Sequence, residues 1–111
     1  MQAVTLSVFL SVPGPPRDLA AEGRSTDSLT VSWNSPKFPN GRVLGYYVVY
    51  SDDQSLPVSQ WSGTEPSGSS VKIKALERDK TYWIRVAART SKGQGNYSLP
   101  VSAKTLKYDC K

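Results

Sequence analysis

Apolar and polar side chains alternate along much of the chain, in short runs broken by Gly, Pro, Asn and Asp. A period of two places successive side chains on opposite faces of an extended backbone, so each run predicts a half-buried β-strand. The longest run covers 81–90, with Tyr82, Ile84, Val86 and Ala88 on one face and Trp83, Arg85 and Arg89 on the other. Lys92, Gly93, Gln94 and Gly95 follow, and glycine's tolerance of positive φ suits a hairpin turn. The chain then returns as a strand over about 98–106, with Val101 and Ala103 inward.

The other runs are shorter. Residues 17–22 direct Leu19 and Ala21 inward, and Leu29, Val31 and Trp33 alternate with Thr30 and Ser32. In 43–51, Tyr46, Val48 and Tyr50 form the inner face and Tyr47 and Val49 the outer. A weaker strand is expected over 58–62. Val71 and Ile73 point inward while Lys72 and Lys74 meet water, and Leu76 closes that strand. Seven strands, with turns every eight to twelve residues, fit two antiparallel sheets packed face to face. A length of 111 residues suits one domain with one core.

Composition narrows the function. With no histidine, the chain has no imidazole base and no Ser-His-Asp arrangement. Asp52 and Asp53 are neighbours at a strand end and diverge, which argues against a paired-carboxylate site. The Gly93-x-Gly95 pair precedes a strand, not the helix that a phosphate-binding loop needs. No ligands stand at metal-binding spacing. The expectation is a chain without catalytic, cofactor or metal sites. Cys110, the single cysteine, excludes an internal disulfide. Fourteen Lys and Arg against nine Asp and Glu give a net charge of +5, spread along the chain without a basic run. Such spacing suits an ordinary solvated surface and gives no indication of nucleic-acid binding. No stretch approaches the about 20 apolar residues that span a bilayer.

Residues 1–12 alternate Val4, Leu6, Val8, Leu10 and Val12 with Thr5, Ser7, Phe9 and Ser11, and Pro13-Gly14-Pro15-Pro16 follows as a stiff linker. Residues 1–14 therefore read as a linker, the remnant of a preceding module or a non-native extension, with an extra strand over 1–12 or a processed leader as further alternatives. The domain itself is expected over 15–106 and a tail over 107–111.

Pro16 with Leu19, Trp33 with Pro36, Gly45-Tyr46-x-Val48-x-Tyr50, and Leu76 six residues before Tyr82 occur in this order along the chain. With the run Tyr82-x-x-Arg85-Val86-x-Ala88 … Gly93-x-Gly95-x-x-Ser98-x-Pro100 … Thr105, the whole resembles a fibronectin type III domain. The resemblance implies an all-β, immunoglobulin-like sandwich of seven strands. In that fold's lettering, A, B and E make one sheet and C, C′, F and G the other. It also implies a tyrosine corner built from Leu76 and Tyr82. Thr90 and Arg78 stand where the family often has asparagine and proline, so the corners beside them are expected to differ locally. Pro15-Pro16-Arg17-Asp18-Leu19 and the Asn40-Gly41 turn look most like modules of neural cell-surface receptors, such as netrin receptors and receptor tyrosine phosphatases.

What the resemblance implies for function is a module of a larger receptor or adhesion protein, acting as protein-interaction unit and spacer in a tandem array. Its place would be the extracellular side of a single-pass receptor, so that it meets a membrane only through the parent protein. The alternatives are a passive module of an intracellular or matrix protein, and a heparin-type anionic-glycan binder. Candidate protein-binding residues are Tyr47, Val49, Trp83, Arg85 and Arg89 on the outer sheet face, with Lys92 and Gln94 at the turn. Trp, Tyr and Arg are enriched among residues that dominate interface energy. Lys72, Lys74, Arg78 and Lys80 are the candidate anion site. Asn96-Tyr97-Ser98 is a glycosylation sequon at an exposed hairpin end.

Overall fold

The computed structural model describes residues 12–108. The expectations for residues 1–11 and for Cys110 lie outside the described residues. Among the described residues there are eight strands: β1 (Arg17–Gly23), β2 (Leu29–Asn34), β3 (Gly45–Ser51), β4 (Ser62–Thr64), β5 (Ser70–Ile73), β6 (Thr81–Thr90), β7 (Gly93–Gln94) and β8 (Val101–Lys104). One sheet has the order β1-β2-β5, and the second the order β4-β3-β6-β7 with β8 also on β6. All pairs are antiparallel. β7 and β8 both pair with β6 and act as two stretches of one interrupted strand. Between them Gly95 donates to the Ala88 carbonyl at 2.9 Å and Ser98 to that of Val86 at 2.8 Å. The fold is thus the seven-stranded, two-sheet sandwich.

Its core lies between the sheets. Leu29, Val31 and Trp33 of β2, Tyr46 and Val48 of β3, Ile73 of β5, and Tyr82, Ile84, Val86 and Ala88 of β6 are buried together. Trp33 meets Tyr46 edge to face, with ring centroids 5.3 Å apart and planes at 64°, a geometry favoured by the aromatic quadrupole. Leu19, Tyr50, Val71 and Leu76, expected in the core, pack against it while keeping part of their surface in solvent.

Several strand ends differ from the sequence reading. Residues 58–60 form a 3-10 turn after Pro57, and the strand begins only at Ser62. β5 stops at Ile73 because Ala75 takes φ 61° and turns the chain. Leu76 then donates its N–H to the Asp27 carbonyl at 2.9 Å instead of extending the ladder. β8 begins at Val101, just after Pro100, which has no N–H to contribute to a ladder.

The turn from β5 to β6 is held from inside. The Tyr82 hydroxyl accepts the Glu77 N–H at 3.0 Å, which is the tyrosine-corner bond. Thr105, only 2% exposed, donates its hydroxyl to the Glu77 carbonyl at 2.6 Å and accepts the Lys80 N–H at 3.1 Å. At the opposite pole, Pro13, within the segment read as linker, is buried. Gly14 donates to the Phe38 carbonyl at 3.0 Å, and Asn40 Nδ2 to the Val12 carbonyl at 2.9 Å.

Candidate interaction face

The register of β3 on β6 determines which side chains share the outer face of the larger sheet. Tyr47 lies opposite Ala87, Val49 opposite Arg85, Ser51 opposite Trp83 and Gly45 opposite Arg89. Directly opposed residues project to the same side. Tyr47, Val49, Trp83, Arg85 and Arg89 therefore do come together on one surface, as the alternation indicates.

Val49 is the correction. At 1% exposed it is no contact residue. Val49 and Ala87 are buried, yet neither belongs to the cluster between the sheets. Large rings stand close to Gly63, the residue paired with Val49. Trp61 stands two residues before Gly63, the partner of Val49 in β4, and is itself buried outside the core. Its indole N–H donates to the Leu56 carbonyl at 3.0 Å, fixing the ring. Tyr47 lies across Gly63, where a side-chain Cβ would stand 2.6 Å from the phenol oxygen. Only glycine leaves room for that ring.

Tyr97 completes the surface and was not anticipated as part of it. Its ring lies 6.5 Å from that of Tyr47 and 5.9 Å from the Arg85 guanidinium carbon. Arg85 Nε also donates to the Ser98 carbonyl at 2.9 Å. With this bond and the ring beside it, the guanidinium is a positioned cation next to the Tyr97 phenol. Tyr97 lies between β7 and β8, outside any alternating run, so the pattern along the chain gives no signal for it. Arg89 is half-buried, and its Nε is shut off from solvent without a hydrogen-bond partner among the described residues. Trp83 is half-buried opposite Ser51 and Ser102.

The remaining candidates are dispersed. Lys92 and Gln94 are exposed at the β6–β7 turn, where Thr90 Oγ1 accepts the Lys92 N–H at 3.2 Å. Lys72, Lys74 and Arg78 are exposed, the first on β5 of the other sheet. Lys80 is not a free cation: its ammonium contacts Asp52 at 2.7 Å and Glu77 at 3.1 Å. These hydrogen-bonded carboxylates raise the Lys80 pKa, and Lys80 lowers that of Asp52. Asn96 is exposed while Ser98, in the same sequon, is 7% exposed. Elsewhere, a recess of about 340 Å³ lies between Pro15, Pro16 and Leu19 and the stretch from Ser98 to Val101. Its carboxylate, Asp18, already accepts the Asn34 amide at 2.7 Å. Among the described residues no group of His, Cys, Asp or Glu stands ready to hold a metal.

A family profile for the fibronectin type III domain matches residues 14–104. The chain belongs to the fibronectin type III family. This module is 35% identical over 91 residues to a receptor-type tyrosine-protein phosphatase S of Gallus gallus, covering 81% of the chain and 6% of that protein. It is 34% identical over 99 residues to the netrin receptor DCC of Homo sapiens, covering 85% of the chain and 7% of the receptor. Among solved structures, the FN5 domain of Drosophila Lar superposes with a TM-score of 0.70 at 28% identity, covering 86% of this chain and 98% of that one. The chain thus spans less than a tenth of the receptors' length and is similar to single modules within them. Among the described residues no helix is long and apolar enough to cross a membrane.

Proposed function

We propose that residues 15–106 form one non-catalytic unit of a receptor or adhesion ectodomain, which binds a protein partner through the outer face of the β3–β6 sheet. The observation that carries this reading is the Tyr47–Tyr97–Arg85 arrangement, with the Tyr97 ring 6.5 Å from Tyr47 and 5.9 Å from the Arg85 guanidinium carbon. Arg85 is fixed by Ser98, so little side-chain entropy is lost when a partner closes over it. Val49 and Ala87, buried on the same side of the sheet, add packing that stiffens the platform. Cations at Arg85, Arg89 and Lys92 on a chain of net charge +5 favour a partner surface that carries carboxylates. The similarity to receptor modules supports an extracellular setting and a role as a spacer between neighbours. Several such modules acting together raise the effective concentration of weak contacts.

An anionic-glycan role through Lys72, Lys74, Arg78 and Lys80 has less support, because Asp52 and Glu77 already neutralise Lys80. The test is a binding screen against secreted ectodomains of cell-surface proteins. Arg85→Ala combined with Tyr97→Ala is expected to reduce binding at least tenfold, about 1.4 kcal/mol, with the fold retained by circular dichroism. Lys72→Glu with Lys74→Glu, on the other sheet, is expected to leave it unchanged. Undiminished binding by the first pair, or loss only with the second, overturns the proposal.

A further inference from the structure

We infer that Asn96 is an N-glycan attachment site that must be modified before residues 96–98 dock onto β6. Asn96-Tyr97-Ser98 has the acceptor pattern, with no proline in the middle. The fold divides the triplet. Asn96 stands exposed, so a bulky polar chain attached to its amide displaces nothing from the core. Ser98 is 7% exposed, and its hydroxyl accepts the Val86 N–H at 3.1 Å. Its own N–H donates to the Val86 carbonyl at 2.8 Å. Tyr97 between them packs toward Tyr47 and Arg85. A transferase that reads the third residue's hydroxyl therefore finds it only while this stretch is undocked.

The donor is an oligosaccharide carried on a lipid pyrophosphate. Asn96 Nδ2 attacks the anomeric carbon of the first sugar. The new N–C bond forms as the C–O bond to pyrophosphate breaks, the lipid pyrophosphate leaves with the electron pair, and the amide gives up one proton. No redox step is involved. The glycan then leaves the domain one residue from Tyr97, at the margin of the aromatic face, so it narrows the approach to that face without taking up the rings.

This inference rests on the extracellular placement, and its test is kept separate from that placement. The chain is translated behind a secretory signal in the presence of rough microsomes, which delivers it to the transferase whatever the native topology. The expected result is a mass shift removed by peptide N-glycosidase and abolished in Asn96→Gln, whose exposed position keeps the thermal midpoint unchanged. The purified folded chain, given detergent-solubilised transferase and lipid-linked donor, is expected to remain unmodified, whereas a synthetic peptide of residues 93–101 is converted. Absence of the shift in the nascent wild-type chain overturns the site. Modification of the folded chain as complete as that of the peptide overturns the required order. Surface labelling of the full-length parent protein tests the placement by itself.

Discussion

Trp33 concentrates much of the core's energy in one side chain, being 3% exposed and packed edge to face on Tyr46. Truncation to alanine removes the transfer energy of the ring and leaves a cavity, so Trp33→Ala is expected to cost about 3–5 kcal/mol in urea unfolding. Trp33→Phe is expected to cost less than half of that. The smaller ring keeps most of the packing, and it deletes the indole N–H, which is buried without a partner among the described residues. Equal losses for the two would show that the N–H, not the ring, matters. At this scale alternation was a reliable guide inward and a poor one outward. It located Trp33, Val48 and Ile84 in the core because a half-buried sheet allows only one register. It placed Val49 in solvent because the pattern along a strand does not show what a later segment lays across its other face. Nor does it show Tyr97, 48 positions beyond Val49, whose ring joins Tyr47 and Arg85 on the outer face.

Elements whose hydrogen bonds run along long ladders were legible, and elements fixed by tertiary contact were not. β6 spans Thr81–Thr90, as the sequence indicates, since ten alternating residues leave no competing register. The stretch around Pro57–Thr64 carried too short a pattern, and its 3-10 turn and three-residue strand are set by Trp61 and by pairing with β3. The leading segment is another tertiary case. Pro13-Gly14 has the composition of a linker, yet Pro13 is buried and a Cβ on Gly95 would stand 1.9 Å from its carbonyl oxygen. The contact is backbone against backbone, so no rotamer change relieves it. Gly95→Ala must push the leading segment away from the β7–β8 stretch, a form of overpacking that costs about 1–3 kcal/mol. Amide hydrogen exchange is expected to quicken at Gly14, which donates to Phe38, while β2 and β6 remain protected. Unchanged protection at Gly14 would mean that the leading segment stays docked on Phe38 and that the β7–β8 stretch moves instead.

The molecule as a whole carries more positive than negative charge, and acid enlarges that imbalance. Its net charge of +5 is the difference between fourteen cations and nine carboxylates, so protonating the carboxylates leaves self-repulsion without relief. Asp52 is one carboxylate through which the fold resists this change. It follows the end of β3, and Lys80, which immediately precedes β6, reaches it at 2.7 Å. The Lys80 hydrogen bond, with the ammonium's charge, holds the Asp52 carboxyl below the usual carboxylate range. A depressed folded-state pKa means that the unfolded chain binds the proton more readily. The contribution is therefore fully present above the unfolded value of about 3.9 and is lost as pH falls through the folded one. Lys80 has the opposite sign: its raised pKa leaves its contribution intact through neutral pH, to be lost only in strong alkali. Asp52→Asn is expected to lower the thermal midpoint modestly at pH 7, because the pair is partly exposed to solvent and Glu77 remains to hold the ammonium. As pH falls below the folded Asp52 value the two midpoints should converge, and 1 M salt should shrink the difference at every pH. Thermal melts from pH 2 to 8 at low and high salt measure this. A gap that persists undiminished in acid would mean that the Asp52 side chain acts by its shape and hydrogen bonding, and that charge across the β3–β6 junction is not what the pair contributes.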